Sequence, residues 1–200
     1  PERPEPDRPV RPDRVRAVLE VGDGEALALS TAPMRRDAGH ELLLDAVELL
    51  PATSPLTVAL AADGPLRPWL ESRVAASDGL RDRVRFVHRG QDPAVLLGSA
   101  DLVLHTGASG ALPTALLRAT AAGVPAVATR VGGVPEVVTS GTGVLVPLRP
   151  GPIADALAAL AADPDRRARL GAAARQRYLA EFEAVGWAQR LRALYDEVLA

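Results

Sequence analysis

The chain contains no cysteine, no lysine and no asparagine, and aromatic residues make up only 3% of its 200 positions. Each shortage excludes something. Without cysteine there is no disulfide, no thiolate chemistry and no cysteine-based metal site. The remaining metal ligands of choice, His40, His88 and His105, stand far apart and never at ligand spacing, so no metal is expected. With aromatics scarce, the core has to be assembled from Ala, Leu and Val, within a hydrophobic fraction of 48%. Because all 23 basic residues are arginine, a ligand phosphate can be held only by guanidinium groups, backbone amides or a helix terminus. A net charge of −2 gives no electrostatic reason to expect nucleic acid or an anionic membrane as partner. No apolar run is long enough to span a bilayer and no signal peptide is recognisable, so a cytoplasmic setting is the default expectation. The first residue is Pro1 and not Met, as expected of a piece of a longer protein.

What the sequence does have is alternation. Prolines at positions 1, 4, 6, 9 and 12 sit among charges, which reads as an extended linker over 1–15 ahead of one domain over 16–200. Short apolar runs ending near Gly, Pro, Asp or Thr predict strands at 26–31, 56–61, 84–88, 102–105, 126–129 and 144–146. Between them, helices are predicted at 39–50, 66–76, 93–98, 113–122 and 135–139; in the first, Leu42, Leu43, Ala46, Val47 and Leu50 share one face. Strict alternation implies right-handed crossovers. The expected fold is α/β: a Rossmann-like open parallel sheet of about six strands, with helices on both faces. The last fifty residues read as helices at 151–162, 164–182 and 184–200, packing on that domain. Asp163 followed by Pro164 is a strong helix start. Trp187, Leu191, Leu194, Tyr195 and Val198 recur at helical spacing and read as a docking face.

In such a sheet a ligand binds at the C-terminal ends of the strands. Two loops qualify. Residues 107–113, Gly-Ala-Ser-Gly-Ala-Leu-Pro, follow the strand at 102–105 and open a helix. Small residues there admit a ligand to the backbone, and the amides and positive end of the helix suit a diphosphate. Close packing alone would also favour small residues. Gly132 and Gly133 make a second loop after the strand at 126–129. Arg118, eight residues after Gly110, lies on much the same helical face and can meet a phosphate, although an ordinary solvated helix charge is the simpler reading. Arg35 and Arg36 are a further pair after the first strand. His88 and His105 read as core or rim packing. Gly22-Asp23-Gly24 precedes the first strand and is read as a turn, since no complete dinucleotide-binding glycine pattern surrounds it.

The segments 39–51 (GHELLLDAVELLP), 62–71 (ADGPLRPWLE), 82–87 (DRVRFV), 121–138 (AAGVPAVATRVGGVPEVV), 143–147 (GVLVP) and 190–200 (RLRALYDEVLA) occur in one order. Together they resemble the C-terminal, donor-binding half of GT-B glycosyltransferases of the family 4 type. The resemblance implies transfer of a sugar, with retention and without a metal, from a nucleotide-diphosphate sugar. No cofactor is implied beyond that donor substrate. A missing N-terminal acceptor domain or a partner chain would complete the cleft. It further implies a donor site at Ser109, Gly110, Ala111, Leu112, Thr114, Arg118, Gly132 and Gly133, with Val87 and His88 at the base; no catalytic residue can be assigned. Several positions depart from the family. Its diphosphate-clamping Arg and Lys correspond to Pro33 and Ala38, a glycine beside the base to His88, and its paired glutamates to Gly110 and Arg118. The absence of each charge-assisted hydrogen bond weakens binding by about 1.5–3 kcal/mol. Two readings therefore stand: a transferase half that is inactive by itself, and a non-catalytic domain serving as scaffold or regulatory partner of an active transferase.

Overall fold

The computed structural model describes residues 12–87, 92–108 and 114–199. In chain order, helix α1 (Pro12–Val18) leads into β1 (Ala26–Ser30), α2 (His40–Glu48), β2 (Leu56–Leu60), α3 (Arg67–Ala76), α4 (Asp78–Arg81) and β3 (Val84–Phe86). The second half runs α5 (Pro93–Ser99), β4 (Leu102–His105), α6 (Thr114–Ala122), β5 (Ala126–Thr129), α7 (Val134–Val137) and β6 (Gly143–Val146). It closes with α8 (Pro150–Ala161), α9 (Pro164–Arg177), a π-helical turn over Tyr178–Phe182 and α10 (Ala184–Leu199).

All six strands are parallel and form one sheet in the order β3-β2-β1-β4-β5-β6. Each strand is apolar because it is covered on both faces, and alternate side chains feed two separate cores. Ala26, Ala28, Leu56, Val58 and Leu60 point into a core closed by α2, α3, α4 and α8. Leu27, Leu29, Ala59, Val103 and Ala128 point the other way, beneath α1, α5, α6 and α7. The chain builds outward from β1 in one direction and then, from β4, in the other. The adjacent ends of β1 and β4 thus form the topological switch point, where connections diverge to opposite faces and a crevice opens.

Local signals explain most element boundaries. The Asp92 carboxylate accepts from the Ala94 amide (2.8 Å) with Pro93 in the first turn, and Asp163 does the same for Arg166 (2.8 Å) ahead of α9. Helix α6 stops at Gly123, whose φ of +72° takes the left-handed turn that ends a helix, before Val124 and Pro125 enter β5.

Two expectations need correction. Residues 12–15, expected as extended linker, begin a helix instead, because Val15 and Leu19 find an apolar bed shared with Leu96 and Leu97 of α5. The remainder of that linker, residues 1–11, lies outside the described residues. At the other end, α8 and α9 bury Ile153, Leu157, Leu160 and Leu170 against the domain, but α10 buries none of its residues. By the time the chain reaches α10 both sheet faces are already covered. Its apolar stripe stays in water, with Trp187 54% and Tyr195 60% exposed.

Helix α1 is latched to the sheet by Arg16, which donates to Asp101 Oδ2 (2.7 Å), the Glu25 carbonyl (2.7 Å) and the Ser99 carbonyl (3.2 Å). The same Asp101 oxygen receives the Leu27 amide at 2.7 Å, so one carboxylate joins α1, β1 and the start of β4. Arg16→Ala leaves that carboxylate without its cation. It is expected to lower unfolding free energy by about 1–3 kcal/mol, measured by urea denaturation.

Candidate functional site at the β1–β4 switch point

A cavity of about 440 Å³ opens at the C-terminal ends of the strands, beside the switch point. That volume suits a small-molecule ligand. One wall is the chain leaving β1, Thr31, Ala32 and Pro33; the floor is Leu104 with Leu96 and Leu97 of α5. The opposite wall is His105 at the end of β4 together with Thr114, Ala115 and Arg118 of α6.

The walls are fixed by backbone contacts. The loop after β1 and the loop after β4 meet at Gly39 and Thr106, where Thr106 Oγ1 donates to the Gly39 carbonyl at 2.9 Å. Gly39 has φ of +76°, and a methyl group there would overlap the Thr106 carbonyl, so only glycine lets the two loops close up. The Ala108 amide reaches the Asp37 carbonyl at 3.2 Å, a second tie across the same seam. From β5, the Thr129 hydroxyl donates to the Gly107 carbonyl at 2.7 Å and lies 3.3 Å from that of His105. The loop after β4 is therefore gripped from both sides.

His40 holds the first wall from behind. It is 1% exposed, and its Nε2 lies 3.0 Å from the Ala32 carbonyl and 3.2 Å from the Pro33 carbonyl. Carbonyls only accept, so Nε2 carries the proton, and the buried Nδ1 is left without a partner. Burial pushes the His40 pKa down, against smaller opposing effects of its two backbone hydrogen bonds. Burial alone pushes His105 down, and its Nε2 also lacks a partner. Both imidazoles are thus neutral near pH 7. At the outer strands, Arg67 braces the ends of β2 and β3, donating to the carbonyls of Ala62 and Val87 at 3.3 Å each.

The residues expected at a site divide three ways. Thr114 and Arg118 line the cavity. Val87, Gly132 and Gly133 do not: Val87 is buried in the sheet core, and the glycines sit one strand further on, in the turn from β5 to α7. Ser109, Gly110, Ala111, Leu112 and His88 lie outside the described residues. Pro33, which stands where a cation was expected from the resemblance, does line the cavity, whereas Ala38 does not. Gly22-Asp23-Gly24 is a turn, with the Glu25 amide bonded to the Gly22 carbonyl at 3.1 Å. Sequence reading missed Thr31, Ala32 and the α5 leucines as lining, and His40 as a support. The one available signal was position at strand ends, and it becomes usable only once β1 and β4 are known to be neighbours. Among the described residues no group of three His, Asp or Glu is placed to hold a metal ion, and no helix is long and apolar enough to cross a membrane.

Two outcomes follow from this geometry. The unfolded chain's histidines titrate near 6.5, above their folded-state values. Below that pH the unfolded state binds more protons, so stability, fully present above pH 6.5, declines as pH falls toward the folded-state values. The thermal midpoint should drop between about pH 7.5 and about pH 5.5, and the double variant His40→Gln with His105→Gln should flatten that slope. Separately, Gly39→Ala forces a left-handed alanine against the Thr106 carbonyl and should cost on the order of 2 kcal/mol in denaturant titrations.

Comparison with known proteins assigns the chain. Residues 13–177 match the family described as glycosyl transferases group 1. The N-acetyl-alpha-D-glucosaminyl L-malate synthase of Bacillus anthracis is 33% identical over 122 residues, 60% of this chain and 32% of that enzyme. In fold, the Anabaena HepE protein crystallised with UDP-glucose matches with a TM-score of 0.81 at 24% identity, covering 93% of this chain and 52% of that one. The C-terminal domain of LpcC, a group 1 glycosyl transferase from Francisella tularensis, matches with a TM-score of 0.71 at 20% identity, over 80% of this chain and 87% of that domain. The chain spans about half the length of HepE and about a third of the Bacillus enzyme. With its family match running from α1 to the end of α9, this chain belongs to the glycosyl transferases group 1 family.

Proposed function

We propose that this chain is the donor-binding half of a retaining, family 4-type glycosyltransferase, working without a metal on a nucleotide-diphosphate sugar. One observation carries the reading: a 440 Å³ cavity at the β1–β4 switch point, in a chain that belongs to a glycosyl transferase family. In the reaction the bond between the anomeric carbon and the diphosphate oxygen breaks. The acceptor hydroxyl oxygen forms the new bond on the same face, and its proton leaves with the diphosphate. Charge developing on the diphosphate has to be met by donors already in position. On this chain those come from the start of α6 and the side chains that line the cavity beside it.

The second half of the cleft would be an acceptor domain or a partner chain. The exposed stripe of α10 offers such a partner an apolar surface of the kind interfaces use. The competing reading, a scaffold that binds no donor, draws on Pro33, which lines the wall where the resemblance implies a cation.

Calorimetry with UDP- and GDP-sugars separates the two readings. Binding with a dissociation constant in the micromolar range supports the donor half. Absence of heat with both sugars at millimolar concentration supports the scaffold. The 200-residue chain by itself is expected to give no acceptor-dependent transfer from radiolabelled donor, and robust turnover would refute its assignment as a half.

A further inference from the structure

Three arginines were eligible to hold a ligand phosphate: Arg35, Arg36 and Arg118. The structure separates them. Arg35 is paired with Asp37 at 3.2 Å, its side chain 60% exposed, and it does not line the cavity. Arg36 sits in the 3₁₀ turn Arg36–Ala38, exposed and likewise outside the lining. Arg118 lines the cavity, and among the described residues it has neither an ion pair nor a side-chain hydrogen bond. It is also the single charged group of the described lining. The rest is alanine, proline, leucine, the Thr31 and Thr114 hydroxyls, and His105, which burial keeps neutral.

Thr114 and Arg118 are four residues apart on α6, so a hydroxyl donor and a guanidinium stand one helical turn apart on the face that borders the cavity. The facing wall has no cation to offer: its Ala32 and Pro33 carbonyls are taken up by His40, and Pro33 has no amide hydrogen. We infer that Thr114 and Arg118 form the phosphate-binding subsite of this cavity, so that the ligand's negative charge is held from α6 and not from the loop after β1. The inference deepens the donor-site reading and rests on it for the nucleoside part of the ligand; the anion part stands on the cavity and Arg118 alone. A guanidinium fork meets two phosphate oxygens bidentately, a hydroxyl donates to a third, and the apolar floor takes an uncharged body.

The test is a calorimetric series on the 200-residue chain with UDP, GDP, uridine, guanosine and inorganic pyrophosphate, repeated in Arg118→Gln, Arg118→Lys and Thr114→Ala. Arg118 is exposed and unpaired, so its variants should keep the wild-type melting temperature. Expected is a loss of about tenfold to a hundredfold in diphosphate affinity in Arg118→Gln, partial recovery in Arg118→Lys, and a smaller loss in Thr114→Ala. Nucleoside binding should stay unchanged throughout. Equal nucleoside diphosphate affinities in wild type and Arg118→Gln would overturn the subsite while leaving the donor-site reading intact. Pyrophosphate binding that is lost in Arg118→Gln, with no gain from attaching a nucleoside, would support the subsite and remove the nucleotide reading. If wild type binds none of the five compounds, both fall.

Discussion

The geometry of the crevice depends on how closely the backbone at Gly39 approaches the backbone at Thr106. These residues belong to loops that leave neighbouring strands for opposite faces of the sheet, so nothing in the regular secondary structure holds them together. What does is a contact that excludes even a methyl group, closed by the Thr106 hydroxyl on the Gly39 carbonyl at 2.9 Å. A glycine with positive φ is the residue that can both turn the chain and stand that close. Relaxing the seam would let Pro33 and Thr114 drift apart by amounts that matter to a ligand, since binding geometry is sensitive at well under an ångström.

Around that seam the buried polar residues have a common task. Among the described residues few polar side chains are fully buried, and three of them, His40, Thr106 and Thr129, bind backbone carbonyls of the two crevice loops. Buried polar groups are tolerable when hydrogen-bonded, and here their bonds fix loops that carry no regular ladder of their own. His40 is the exception that remains half satisfied, with a bare Nδ1 in the interior. Burial is what enforces its neutral form.

Much of the fold was legible in the sequence. Strand runs such as Leu102–His105 and Ala126–Thr129 were readable residue for residue because a strand buried on both faces must be apolar throughout. Asp163 before Pro164 marks a helix start by a local mechanism that needs no tertiary context. What failed did so for tertiary reasons. Residues 12–15 read as linker because the prolines and charges of 1–15 dominate the count, while Val15, with Leu19 just beyond α1, matters only against α5. Helix α10 carries a packing pattern that nothing among the described residues receives. At the site, Thr114 and Arg118 could be read because they follow a strand end on one helix. Thr31, Leu96 and His40 could not, because their convergence is set by strand order and not by any spacing along the chain.

Side chains that shape the crevice and side chains that face its contents are different sets, with different constraints. His40, Thr106 and Thr129 are buried, and each is bonded to the backbone of a crevice loop. Pro33, Thr114 and Arg118 are exposed at the cavity rim, and replacing them alters charge or hydrogen bonding without disturbing the core. A fold arranged this way can exchange one ligand charge pattern for another while its walls stay where they are. Because the floor beneath is leucine, with little polarity to oppose it, one rim cation sets the sign of the whole described lining. The charge at position 118 is therefore carried by a side chain on which the glycine seam, the buried hydroxyls and the parallel strands do not depend.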